Sequence, residues 1–339
     1  MTLGMCACYF DDQLSLELIQ SSDVSRQGLL LMFSSLGAPP QTSKSFRPAA
    51  NRHFLGTSVH VGDLVIDGTM RFQPKSSTRT KVQQKLQTCL QSKTMGADTA
   101  GKLRGDLNWM FSQCAGFCGK LAGPLLAEKQ RSELSELTQA DLTTLQVLLA
   151  VVTTAEPRDL PLFEAGQKPV LIYSDASFEN DELRLGWIIF PHQGRPFGGT
   201  CVVPPSIIAT WQRRTQQIFP GESLCALLVP YLHGPQLSAS DILWFVDNAA
   251  AVSALIRSTC SQEDVHGIAQ YAQFLLCRHR CRTWFEWIDS RSNLADGLSR
   301  DGLKDEWTMR QDWDVSEYSY PLSLSHQGFL DAVANELPF

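Results

Sequence analysis

The chain reads as an α/β protein: a mixed, partly parallel sheet covered by helices. Three observations predict this class. From residue 169 to 302, continuous apolar runs of strand length alternate with stretches of helical period. Turn-rich segments such as Pro191 to Gly199 separate the shorter strands. Two of the apolar runs, Val170–Ser174 and Ile242–Val246, lead directly into an acidic residue.

Taken in order, the first region covers residues 1–66. Met5 to Tyr9 and Leu14 to Leu18 read as two strands about a tight turn at Asp11 and Asp12. A helix follows with Leu29, Leu30, Met32 and Phe33, ending near Gly37 ahead of Pro39 and Pro40. His53 to Ile66 alternates as strands. Residues 67–156 are expected to be helical. Val82, Leu86, Cys89 and Leu90 form one apolar stripe, and Leu103, Leu107, Met110 and Phe111 another. Thr138 and Asp141 form a capping box for a third helix, to Thr154. Residues 157–168, with Pro157, Pro161 and Gly166, read as a linker.

The α/β unit spans 169–302. Its strands are Val170–Ser174, Leu185–Phe190, Thr200–Val203, Ile242–Val246 and Thr283–Ile288. Its helices are Gly221–Leu232, Ala249–Ile256, Val265–Cys277 and a short one from Leu294 to Ser299. Residues 303–339 form a tail with amphipathic hints at Phe329, Leu330 and Val333.

At 339 residues the chain is too long for one typical domain. It is 43% apolar and 19% charged, which supports a packed core. A net charge of −6 excludes a uniformly basic polyanion binder, so any nucleic-acid contact must come from local patches. No basic leader opens the chain and no apolar run reaches membrane-spanning length, so an intracellular protein, cytoplasmic or nuclear, without a membrane partner is expected. The oligomeric state is open. Among ten cysteines, Cys114 and Cys118, like Cys277 and Cys281, are four apart, which suits a helix face and not a zinc knuckle. Buried reduced thiols are expected.

Asp175 and Asp247 each follow a buried strand, and adjacent parallel strands would set both carboxylates at one sheet edge. Glu222 opens a helix, and Asp296 begins another just after a strand. Alone, each acid reads equally as a turn residue, a cap or a helix-dipole partner. Together they form a set of four. Gathering them is costly, because like charges raise each other's pKa, and divalent cations remove that cost. Hard oxygen ligands suit Mg²⁺ or Mn²⁺. Two such ions about 4 Å apart can hold a phosphodiester, one activating water and one stabilising the leaving oxygen.

Four segments carry a family resemblance. They are Tyr173-Ser174-Asp175-Ala176-Ser177, Gly221 to Leu227, Phe245-Val246-Asp247-Asn248 and Asn293-Leu294-Ala295-Asp296-Gly297-Leu298-Ser299-Arg300. Over residues 169–302 these resemble the ribonuclease H domain of retrotransposon reverse transcriptases. The resemblance implies a ribonuclease H-like fold and two Mg²⁺ ions, with Mn²⁺ as substitute. It also implies endonucleolytic hydrolysis of RNA in RNA–DNA hybrids. Asp175, Glu222, Asp247 and Asp296 would be both catalytic and metal-binding. An insertion around Trp211 to Pro220 accounts for the long first interval. The histidine that many relatives carry before the last acid is absent, and Ser290, Arg291 and Asn293 stand in that stretch.

Upstream, Tyr9-Phe10-Asp11-Asp12 resembles the Tyr-x-Asp-Asp hairpin of reverse transcriptases. Lys44 would match their pyrophosphate-protonating lysine, and Phe54-Leu55-Gly56 their primer-holding segment. This implies a partial palm over 1–66, a helical thumb and connection over 67–156, and a polymerase remnant in Asp11, Asp12 and Lys44. The hairpin begins eight residues into the chain, with no fingers before it, so this chain alone is expected not to synthesise DNA.

Six basic residues from Arg71 to Lys93 stand in a stretch without a single acid, and Lys75, Arg79, Lys81 and Lys85 are candidates for phosphate contact. Trp211, Arg213 and Arg214 combine stacking with charge, and Asn293 joins them as a nucleic-acid candidate. Trp284 and Trp287 read as core. Two other readings use the same residues: a catalytically silent nucleic-acid-binding remnant, and a related DNA nuclease on the same scaffold.

Overall fold

The computed structural model describes residues 5–9, 12–16, 22–37, 49–54, 57–62, 68–114, 118–155, 157–161, 168–215 and 217–324. The chain divides into two compact units, one made of 1–75 with 157–164, the other of 76–156 with 165–339.

In the first unit, β1 (Met5–Tyr9) and β2 (Asp12–Leu16) pair antiparallel, with Tyr9 opposite Asp12. Phe10, Asp11, Lys44, Leu55 and Gly56 lie outside the described residues. Helix α1 (Ser22–Ser35) stops where Gly37 turns left-handed at φ +76°, a conformation glycine adopts without a Cβ penalty. A second sheet follows the order β3 (Asn51–Phe54), β4 (Thr57–His60), β5 (Thr69–Pro74), β6 (Arg158–Pro161), antiparallel throughout. Two expectations change here. Residues 69–74, expected to be helical, form a strand, because β4 and β6 satisfy their backbone on both sides. The expected linker contains β6, whose Asp159 receives both Nε and an Nη of Arg71.

The second unit opens with helices α2 (Ser76–Ser92), α3 (Ala97–Cys114), α4 (Gly123–Arg131) and α5 (Gln139–Thr154). Val82, Leu86 and Cys89 bury the predicted stripe of α2. The Thr138 hydroxyl accepts from Asp141 N–H while the Asp141 carboxylate accepts from Thr138 N–H, so the capping box is formed. No helix among the described residues is long and apolar enough to cross a membrane.

The main sheet is six-stranded. Hairpin β7 (Val170–Glu179) and β8 (Glu182–Phe190) is followed by β9 (Phe197–Val203), then β10 (Asp241–Val246), β11 (Arg282–Trp287) and β12 (Asp314–Ser319). The spatial order is β11-β10-β7-β8-β9-β12. Both β10 and β11 run parallel to β7, β8 is antiparallel to its two neighbours, and β12 lies parallel to β9. The expected mixed sheet is therefore present, extended by an edge strand that lies beyond the expected boundary at residue 302.

Helices α6 (Pro205–Ile208), α7 (Ile218–Leu237), α8 (Ala249–Arg257) and α9 (Glu263–Arg278) follow, then α10 (Asp296–Arg300) and α11 (Glu306–Arg310). Strand alternation gives α7 the face that carries Val170, Ile172 and Ala176. The hydroxyl of Ser177 donates to the carbonyl of Ser299, so α10 sits on the opposite face. Trp187 and Trp244 are wholly buried in the core, and each indole N–H has a partner, in His233 and Ser174 respectively.

Candidate metal centre

Strand register brings the first two acids together. The last paired residues of β10 and β7 are Val246 and Ser174, so the next residues, Asp247 and Asp175, are neighbours across the two strands. Asp247 stands where β10 ends. There Asn248 caps α8, its Oδ1 accepting from the N–H groups of Ala250 and Ala251. Asp175 is not at a strand end, as the sequence suggested. Strand β7 runs on to Glu179, because Asn180 and Asp181 adopt φ values of 51° and 62° and close a two-residue hairpin.

Glu222 comes from α7, which starts at Ile218, so this residue lies inside the helix and does not open it. Close packing explains its reach: a Cβ on Gly221 would stand 2.8 Å from Leu183 Cδ1 and 3.1 Å from Ala176 Cβ. Glu222 is 1% exposed. Its Oε1 accepts the N–H of Ala176 at 3.1 Å, whereas its Oε2 is buried with no partner.

Asp175, Glu222 and Asp247 each place a carboxylate oxygen within 4.8 Å of the other two. Burial first, and then the Asp247 and Asp296 charges, push Asp175 up to about 6, against a hydrogen bond from Ser299 that pulls it down. Burial above all, then Asp175 and Asp247, holds Glu222 well above the carboxylate range. Burial also raises Cys225, a neutral thiol that donates to the Asp175 carbonyl.

Asp296 starts α10 but is not one of this trio. Its Oδ1 accepts Nε of Arg300 at 3.0 Å, and the same guanidinium reaches Glu179 at 3.3 Å. Two serines without an assigned role complete the site. The hydroxyl of Ser299 donates to Asp175 Oδ2, and that of Ser290 to Asp247 Oδ2 at 2.5 Å. Both stand inside or beside the Asn293–Arg300 motif, which was the available signal.

The proposed nucleic-acid contacts divide. Lys75, Lys81 and Arg213 are exposed. Lys85 is paired with Asp106 at 2.7 Å, and Arg79 donates to the carbonyl of Ala155. Trp211 packs against the core. The guanidinium of Arg214 is enclosed by Asp264, Gln262 and Gln217. Asn293 is buried and donates to the carbonyl of Ser174, so it ties the last connection to β7. Trp284 and Trp287, expected in the core, are 65% and 52% exposed because β11 is an edge strand.

An all-carboxylate set, two of its acids buried and Asp247 half-buried, with an orphaned oxygen fits a hard divalent cation. The donors are oxygens alone, and a bound cation would give Glu222 Oε2 the partner it lacks. Fold and site thus define an α/β protein whose mixed sheet carries an acidic candidate cation centre. No family model matches the chain. No curated protein matches it. Among solved structures it is similar to ribonuclease H1 from the halophilic archaeon Halobacterium salinarum NRC-1. Identity is 18% and the TM-score 0.32, over 40% of this chain and 98% of that one.

Proposed function

We propose that the second unit is a metal-dependent nuclease that hydrolyses RNA in RNA–DNA hybrids, in the manner of retroelement ribonuclease H domains. One observation carries this reading: the meeting of Asp175, Glu222 and Asp247 where β10 ends beside β7, with one buried oxygen left open. Asp175, Glu222 and Asp247 would hold Mg²⁺ or Mn²⁺, with Asp296 completing the set once Arg300 lets go of it. That exchange is inexpensive, since the Asp296–Arg300 pair is largely open to solvent. When bound, two such ions supply an activated water and stabilise the leaving oxygen.

The chain's own residues supply the rest. Ser299 and Ser290 orient the carboxylates of Asp175 and Asp247 through their hydroxyls. Buried Asn293 anchors the connection that carries Ser290 and Asp296 to β7. The palm, thumb and connection identities of the N-terminal regions, and a remnant role for Asp11, Asp12 and Lys44, belong to the same proposal. So do the intracellular setting and phosphate contact by Lys75, Lys81 and Arg213.

The test is cleavage of a labelled RNA–DNA hybrid with Mg²⁺ or Mn²⁺, beside Asp247→Asn. Cleavage by the parent chain alone supports the reading. Equal cleavage by both proteins, or none by either, ends it. A second reading draws on the Arg300 clamp on Asp296: a silent nucleic-acid-binding remnant. Hybrid binding without cleavage in either metal would favour it.

A further inference from the structure

We infer that Trp287 is a substrate-positioning residue, stacking on a nucleobase of the strand whose phosphate faces the acids; this rests on the nuclease reading above. Trp287 is the last residue of β11, in register with Val246, the residue before Asp247. Its indole N–H donates to the Asp247 carbonyl at 2.9 Å, which fixes the ring, while 52% of the residue stays exposed. An indole whose one polar group is already satisfied offers a rigid apolar face to whatever approaches. The ring stands beside a candidate metal ligand, where an approaching strand would meet it.

The following turn adds a cation. Asp289 caps it, its Oδ1 accepting from Arg291 N–H, and Ser290 holds Asp247 Oδ2, so the turn is fixed against the acid. Arg291 is exposed and makes no ion pair among the described residues. Along one short connection, therefore, Trp287 precedes and Arg291 follows the serine that holds Asp247. Stacking surface plus positive charge is the combination that holds a nucleic-acid strand without reading its sequence. Trp284 differs: its N–H is turned to Glu286 Oε2 at 3.0 Å, and by strand alternation it lies on the other face of β11.

The experiment measures KM and kcat for hybrid cleavage by the parent chain, Trp287→Ala, Trp287→Phe and Trp284→Ala, with the Mg²⁺-induced rise in Tm recorded for each. Trp287→Ala should raise KM about tenfold, the scale of one lost base stack, with kcat within about threefold. Trp287→Phe keeps a ring and loses the N–H, so its KM should stay within about threefold of the parent. Trp284→Ala should match the parent. A retained Mg²⁺ response in Trp287→Ala shows the acids undisturbed. An unchanged KM in Trp287→Ala overturns the inference while leaving the nuclease reading intact. So does a Trp287→Phe as impaired as the alanine variant, which would assign the effect to the bond with Asp247. A parent chain that cleaves no hybrid removes both.

Discussion

The backbone nitrogen of Ser299 lies 2.6 Å from the position a Cβ on Gly186 would take, and the Ala295 carbonyl and Leu298 carbonyl carbon lie 2.9 Å from it. Gly186 is the β8 partner of Asp175. The missing side chain is therefore what lets α10 settle on the sheet with Ser299 against Asp175. Gly186→Ala meets backbone on every near side, and backbone yields less readily than a side chain. We expect a loss at the upper end of about 1–3 kcal/mol in urea unfolding, and hybrid cleavage reduced further than stability accounts for. Parent-like stability and activity would refute this account of α10.

Removing one carboxylate should have opposite effects on activity and on metal-free stability. In Asp247→Asn, cleavage should fall on the order of a thousandfold, since the variant weakens the cation's hold on the transition state. Its Tm in chelator at neutral pH should rise, because a like charge beside Asp175 and Glu222 is gone. The Mg²⁺-induced rise in Tm should disappear. A lower chelator Tm would contradict the repulsion argument.

The pH dependence follows in sign from Asp175. Its folded pKa, about 6, lies above its ordinary value of 3.8, so the native state holds the proton where the unfolded chain has released it. Stability from this group is present below the ordinary value and is lost as pH rises through about 6. Glu222 shifts in the same direction. Chelator Tm of the parent, relative to Asp175→Asn, should thus decline between about pH 4 and about pH 6. Mg²⁺ should restore progressively more of it as pH increases. A flat difference curve would contradict the assignment.

Arg214 and Asp264 make a largely buried pair, 14% and 7% exposed in their side chains. Burial acts to raise the Asp264 carboxyl. Hydrogen bonds from Arg214, Gln212 N–H and Val265 N–H outweigh it and hold the carboxyl below its usual range. Asp264→Ala leaves a guanidinium buried without its partner and should cost about 3–5 kcal/mol in urea unfolding. Replacing both residues by apolar ones should recover much of that loss. An Asp264→Ala variant within about 1 kcal/mol of the parent would show that water reaches Arg214 freely.

The sequence carried the centre of the site further than its surroundings. Val170–Ser174 and Ile242–Val246 are apolar on both faces, which marks buried neighbouring strands, and an acid after each was therefore visible. Glu222 was legible as an acid in an otherwise apolar helix, but not its depth in that helix. Asn180-Asp181 hid the length of β7, because a polar pair reads as the start of a loop until its positive φ values are known. Trp284, Phe285 and Trp287 give that strand a bulky apolar character, and such a composition cannot tell an edge strand from a central one. The partners of Lys85 and Arg214 lie far along the chain, so charges that looked available to phosphate are neutralised by contacts that only folding creates.

The pairing of β12 with β9 bears on how a shorter version of this protein would behave in solution. A truncation at Gly302 would retain all four acids and both serines, yet it would strip the last strand from β9 and leave Phe197–Val203 as a bare row of amide and carbonyl groups. Such an edge recruits other chains. A fragment cut there should precipitate or self-associate on size-exclusion chromatography, while one carried through Leu324 should elute cleanly, so soluble material for crystallography depends on residues that take no part in the chemistry.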